Sequence, residues 1–402
     1  MTKAHQSHQC PIAPEKAILS SMKLTVLFKE FFESEKTAGF ILIFCTALSL
    51  LLSNSSLSEQ YLHFWHTDIA NKPLEFWIND GLMTIFFLLV GLEIEREIYI
   101  GELSTFKNAL LPLIAAMGGM AAPALIHTFF NYNTATQAGI AIPTATDIAF
   151  SLGILSLLGN KVPVSLKILL TAIAIIDDLG AIVVIAIFYS KGFYLSYFLG
   201  AMGIFGVMLV MNRLKIYRIW MYLILGIGMW YCMLHSGIHA TITGVLLAFA
   251  IPFGNGDEKS PSFNLQHYLH YPVAFIILPI FALANTGIVF STDWTQNLWS
   301  NNSLGIFLGL VLGKPLGIVV FSLVAIYWGI CTLPEDISKK HLIGVGFLAG
   351  IGFTMSIFIT LLAFTDNNAV IVNSKIAVLL ASITAGVVGY VILKTCKNRQ
   401  VQ

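Results

Sequence analysis

The chain has 402 residues, of which 57% are hydrophobic and only 11% charged, with a formal net charge of +1 and a mean hydropathy of +0.81. Soluble domains carry about 25% charged residues, so this composition excludes an ordinary soluble enzyme, and near-neutrality leaves no basic surface for nucleic acid. It predicts an all-α integral membrane protein with the lipid bilayer as its solvent. Cys10, Cys45, Cys232, Cys331 and Cys396 are scattered without disulfide or metal-ligand spacing and read as ordinary packing residues.

The first 36 residues are polar and mixed in charge. They lack an apolar run followed by a cleavage site, and read as a cytoplasmic tail with an amphipathic stretch from Met22 to Phe32. A twelve-span domain is predicted over 37–394. The spans lie near Ala38–Leu52, Phe76–Leu92, Leu110–Phe130, Gln137–Leu157, Ile168–Tyr189, Leu195–Met211, Ile219–Leu234, Ala240–Phe253, Val273–Phe290, Leu304–Tyr327, Leu342–Phe364 and Ile376–Leu393. The eighth is short, and "HSGIHA" before it could extend it. Residues 395–402 form a second cytoplasmic tail.

Placing both termini inside assigns eighteen of the 22 lysines and arginines to the cytoplasm. Only Lys72, Lys191 and Lys375 fall outside, with Lys314 left in the membrane. One span more or fewer would scramble this asymmetry. The outer segment 58–75, centred on Asn71, reads either as a small extracytoplasmic β-hairpin or as an interfacial aromatic loop. An isolated hairpin is marginal in water, so a partner subunit would help explain one.

Two spans are poor continuous helices. The fourth, "GIAIPTATDIAF", has Pro143 at its centre, and the eleventh, "GVGFLAGIGFTMSIF", carries Gly344, Gly346, Gly350 and Gly352. Each is the middle member of a three-span group, spans 3–5 and 10–12, and the groups run in opposite directions. Interrupted helices at matching positions of inverted repeats point to a transporter's midplane site. For the eleventh span alone, the competing reading is glycines that permit close packing.

The charges at that depth are few. Asp177 and Asp178 lie mid-span in "IAIIDDLGAIVV", Asp147 mid-span in the fourth and Lys314 near the middle of the tenth. A charged group there costs about 2.5–3.5 kcal/mol on insertion scales. Adjacent helix residues diverge by about 100°, so one aspartate can line a cavity while the other meets a neighbouring helix, with Lys314 the partner for one of them. Asp147 suits positive helix N-termini and Lys314 negative C-termini, which leaves a purely structural role open for both. Carboxylates with Thr144, Thr146 and freed carbonyls make a hard-oxygen site suited to Na⁺ or Li⁺. A carboxyl group taken out of water favours its neutral form, so such a site holds a proton or an alkali ion but hardly both. Asp80 is read at the outer end of the second span and Glu93 at its inner end.

The segments "NDGLMTIFFLLVGLEIEREI", "IPTATDIAFSLGIL", "AIIDDLGAIVVIAIFY", "SGIHATITGVLLAF", "GKPLGI" and "GIGFTMSIFI" resemble the NhaA-type sodium/proton antiporters of bacterial inner membranes, from about Lys36 to Leu393. The resemblance implies that Asp178 is the principal ion ligand, that Asp177 shares the Na⁺ site and pairs with Lys314, and that Thr146 and Asp147 lie at a helix crossing. It implies electrogenic exchange with more than one proton per sodium ion, no cofactor beyond the transported ions, and a homodimer joined through the outer hairpin. It also implies activation at alkaline pH through a cytoplasmic funnel. Glu93, Arg96, Glu97, His267 and His270 match that pattern. His239 matches a pH-associated position but reads equally as a packed histidine. Glu95 departs from the pattern, which usually has a basic residue there, as do Phe263, Asn264 and Gln266 where charges are expected. An intramembrane aspartyl protease is the enzyme alternative. Its two aspartates sit on separate helices, one within a Gly-x-Gly-Asp motif, and here the string "GNGD" at 254–257 falls between predicted spans and not in one. A sodium-coupled symporter or a passive channel is the transport alternative.

Overall fold

The computed structural model describes residues 36–189, 192–254, 256, 260–290, 298–365 and 367–396. The amphipathic stretch Met22–Phe32, Cys10 and the basic residues Lys191, Lys259, Lys397 and Arg399 lie outside these residues. Among the described residues the protein is almost wholly helical.

The elements in chain order are α1 (Lys36–Ser53), α2 (Ser58–Trp65), strands β1 (Asp68–Ile69) and β2 (Lys72–Pro73), α3 (Leu74–Tyr99) and α4 (Phe106–Asn131). The 3₁₀ segment Gln137–Thr144 (α5) and the helix Ile148–Ser156 (α6) follow, then α7 (Val164–Phe188), α8 (Leu195–Arg213), α9 (Ile219–Ser236) and α10 (Ile242–Ala250). The chain continues through α11 (Pro261–Asn285), α12 (Asn301–Tyr327), α13 (Lys339–Ala349), α14 (Phe353–Ala363) and α15 (Asn368–Lys394).

Among the described residues ten helical stretches are long and apolar enough to cross a membrane, eleven if α13 and α14, bent by 44° at their break, form one span. Twelve were expected. The shortfall is the eighth predicted span, which contains only the nine-residue α10. At 1.5 Å per residue that helix reaches about 13 Å, against a hydrocarbon core of about 30 Å. Gly237, in the left-handed region at φ 85°, ends α9, and a non-helical turn separates it from α10. Lys375 also differs from expectation. Asn367 accepts a hydrogen bond from the Val370 amide, so α15 starts early and carries Lys375 inside it, buried.

The segment after α2 turns back on itself. Ala70 (φ 51°) and Asn71 (φ 63°) both take left-handed backbone, as a two-residue hairpin turn requires. Asp68 lies opposite Pro73 and Ile69 opposite Lys72 in the antiparallel pair. The Trp77 indole donates to the Ile69 carbonyl at 2.9 Å, tying the turn to α3.

Packing separates two apolar clusters. The larger joins α3, α4, α6, α7 and α11 to α15. The smaller joins α8, α9 and α10 to Leu88 and Leu92 of α3 and Leu265 of α11. Within the larger cluster α4 and α12, the first helices of the two three-span groups, touch backbone to backbone. A Cβ on Gly118 would stand 2.3 Å from the Gly317 carbonyl oxygen, and one on Gly317 2.0 Å from that of Gly118. Glycine at both positions is what allows this approach.

Candidate functional site

The two interrupted helices meet. Between α5 and α6 the chain runs extended, with ψ 153° at Ala145 and ψ 104° at Asp147. Between α13 and α14 it bends through Gly350 and Gly352. Backbone groups freed at one break are taken up at the other. The Asp147 amide donates to the Ile351 carbonyl at 2.7 Å. The Thr146 hydroxyl lies 2.9 Å from the Ala349 carbonyl oxygen and the Ser151 hydroxyl 2.8 Å from that of Leu348. Ser356 of α14 donates to the Ile142 carbonyl at 2.6 Å. In a lipid-surrounded interior such exchange is the only way irregular backbone persists.

Asp147 caps two helices at once. One carboxylate oxygen accepts from the Phe150 amide at 2.9 Å and the other from the Thr354 amide at 3.0 Å, with the Thr354 hydroxyl donating as well. Its charge therefore faces the positive N-terminal ends of α6 and α14. Lys314 does the converse. Its ammonium donates to the Thr144 carbonyl at the C-terminal end of α5 and stands 3.0 Å from Asp177 Oδ2. A π-helical turn, Gly309–Gly313, immediately precedes it.

Asp177 Oδ2 also accepts from the Thr146 hydroxyl at 2.8 Å. Its other oxygen, and both oxygens of Asp178, are buried with no hydrogen-bond partner. Asp177, Asp178 and Lys314 are each 0% exposed and Asp147 2%. Lys314, Asp147 and Glu93 lie within electrostatic reach of Asp178. A buried, bare carboxylate is costly unless a cation or proton joins it. The donors gathered here are carboxylates, a hydroxyl and backbone carbonyls, which suit a hard cation. Among the described residues no three His, Cys, Asp or Glu side chains gather as a transition-metal site would require.

The remaining residues singled out in the sequence fall into two places. Glu93, Arg96 and Glu97 are half-buried near the C-terminal end of α3. Glu95 is buried beside them and accepts a hydrogen bond from Ser262 of α11 at 2.9 Å. His267 is exposed and His270 half-buried further along α11. His239 is not brought to this group. Gly244 packs on Thr84 and Leu88, and Gly91 on Val245 and Ala248, so α10 runs in the same direction as α3. His239, which precedes α10, therefore lies toward the Asp80 end of α3. There its Nε2 sits 3.1 Å from the Tyr189 carbonyl oxygen. Asp80 itself is half-buried in the π-helical turn Trp77–Leu82 of α3, within electrostatic reach of Lys72. Sequence reasoning missed Thr354, Ser356 and Ser151. The one available signal was a hydroxyl residue directly after the glycine break, where a helix N-terminus needs acceptors and its neighbours need donors.

Comparison with known proteins gives the family. A family model described as Na+/H+ antiporter 1 matches residues 29–393. The chain belongs to this family. A member from Flavobacterium psychrophilum, named Na(+)/H(+) antiporter NhaA, is 61% identical over 373 residues, 93% of this chain and 97% of its own. Another of that name, from Cytophaga hutchinsonii, is also 61% identical over 373 residues, covering 93% and 96% of the two chains. A third, from Dechloromonas aromatica, is 58% identical over 371 residues, covering 92% and 95%. The antiporter family and the apolar helices together make this a multi-pass membrane protein.

Proposed function

We propose that this chain is an Na⁺/H⁺ antiporter that expels Na⁺ or Li⁺ in exchange for protons by alternating access, with Asp178 as principal ligand. The observation that carries this reading is the bare Asp178 carboxylate, buried beside an Asp177 already engaged by Lys314 and Thr146. An alkali ion arriving at Asp178 requires the charged carboxylate, and a proton on that carboxylate removes the site. The two cargoes therefore exclude one another, and exchange needs only that the site face each side in turn. Asp177 extends the competition. With Na⁺ bound it stays charged beside Lys314, and a proton taken up by this pair as Na⁺ leaves makes the stoichiometry more than one proton per sodium ion. The cycle is then electrogenic. Thr146 and the Thr144 carbonyl hold α5 and α6 against this pair, and Asp147 stabilises the crossing through both helix ends. A sodium-coupled symporter gains no support from the family match.

The same reading places both termini in the cytoplasm of a bacterial inner membrane, where the positive-inside bias puts them. It takes α10 with the turn before it as the eighth of twelve crossings. It assigns the hairpin at 68–73 to a homodimer contact, and pH regulation to Glu93, Arg96, Glu97, His267 and His270. The test is a proteoliposome with an acid lumen. Added Na⁺ should drive protons out of the lumen, and a symporter or channel would give no such countertransport.

A further inference from the structure

Gln137–Thr144 is the weakest backbone at the crossing. It is a 3₁₀ helix of eight residues, whereas such runs rarely exceed about three or four because their hydrogen bonds are poorly aligned. Pro143 contributes no backbone donor. Side chains of other helices hold three of its carbonyl groups instead. Ser356 of α14 donates to Ile142, and Lys314 of α12 to Thr144. Both act at the crossing. The third is Tyr189, the residue that ends α7, whose hydroxyl donates to the Ala138 carbonyl at 2.6 Å.

Tyr189 is 7% exposed, so its ring is packed and its hydroxyl is delivered from a fixed place. The end of α7 is in turn tied down. The Tyr189 carbonyl lies 3.1 Å from His239 Nε2. Tyr189 stands about 16 Å along α7 from Asp178, at 1.5 Å per residue. It touches neither the aspartates nor Lys314.

We propose that Tyr189 is a positioning residue for ion exchange. Its hydroxyl sets the height of α5 against α7. That keeps the Thr144 carbonyl and the Thr146 hydroxyl level with Lys314 and Asp177. The site is built from two walls, one carried by the α5–α6 break and the other by α7, and Tyr189 joins them at the far end. Without that tie the 3₁₀ segment has no side-chain donor on its first turn among the described residues, and slides or frays there first.

This inference rests on the reading of Asp177 and Asp178 as the ion site. The test is Tyr189→Phe in the full chain, purified and reconstituted, because phenylalanine keeps the ring and removes only the hydroxyl. Half-saturating Na⁺ should rise about two- to tenfold, the equivalent of one net hydrogen bond. The pH profile of exchange should be displaced while the maximal rate stays near wild type. Amide hydrogen exchange over residues 137–144 should speed up, with that of α8 and α9 unchanged. Wild-type half-saturation together with a wild-type pH profile would overturn the proposal. So would a variant that yields less folded protein but unchanged kinetics per molecule, or one that does not fold, because the hydroxyl would then serve packing alone. An Asp178→Asn variant run alongside separates the two failures. If it keeps exchanging, the ion-site reading is lost. If it is dead while Tyr189→Phe matches wild type, only the present inference is lost.

Discussion

The α5–α6 span and the α8–α9 pair are both apolar membrane stretches, yet they solve the backbone problem in opposite ways. α8 and α9 are unbroken, and only 17% and 28% of their most apolar stretches are buried in the protein. Facing lipid, they keep the backbone bonds of their interiors within their own helix, as a medium without donors or acceptors demands. The span Gln137–Ser156 is broken in the middle and 72% buried. It can afford loose carbonyls and amides because Asp147, Ser356 and Lys314 take them up. Irregular backbone and intramembrane charge thus occur together here. The charges satisfy the broken ends.

The comparison is broken most severely at Asp178. Asp178→Asn removes both the charge and the titrating proton from the unpartnered carboxylate. Na⁺-driven proton release from loaded proteoliposomes should vanish. Substantial retained exchange would take Asp178 out of the site. Next in size is Lys314→Ala. Removing one partner of a buried pair costs about 3–5 kcal/mol, because the remaining charge is left uncompensated, and here the Thr144 carbonyl loses its donor as well. The thermal midpoint in detergent should fall well below wild type, with some exchange surviving. An unchanged midpoint would contradict the pairing.

Much of this region was legible in the sequence because charge is rare in membrane spans. "IIDDLG" announced itself, and Pro143 with the glycines of "GVGFLAGIGF" marked both breaks. Of the hydroxyl donors Thr146 was legible beside Asp147, but Thr354, Ser356 and Ser151 were missed. Serine and threonine are common in membrane helices, where most donate to their own preceding turn, as Thr360 does to Ser356. Only its place directly after the glycine break sets apart Thr354, whose partner lies 207 positions away. That the eighth span is short was legible, but where its helix begins was not, for a related reason. Hydropathy records which residues tolerate lipid but not where Gly237 turns the chain. The position of His239 was legible and was missed. Spans two and eight are both even, so the start of the eighth lies at the outer end of the second, away from Glu93.

Thr354→Val sharpens the comparison by a smaller step. Valine keeps the shape and removes one hydroxyl donor from Asp147, while the Thr354 amide at 3.0 Å remains. A hydrogen bond to a charged group contributes about 1.5–3 kcal/mol. The thermal midpoint should drop by less than for Lys314→Ala. A fall as large would mean that the hydroxyl, not the ammonium, chiefly holds the crossing.

The smallest effect is expected on the other side of the comparison, at Ile227 of α9, which is 68% exposed. In water such a residue would be out of place, but in a bilayer its side chain meets lipid whether or not α9 is docked. No apolar transfer accompanies folding there. Alanine at this position removes lipid contacts alone and is the better helix former. Ile227→Ala should therefore leave both the thermal midpoint and the exchange rate within about 0.5 kcal/mol of wild type. A loss above about 1 kcal/mol, in the range of buried truncations, would show that this face is covered by protein. In a bilayer the available cover is a second copy of the chain. The variant's midpoint would then depend on protein concentration, as dissociation makes it.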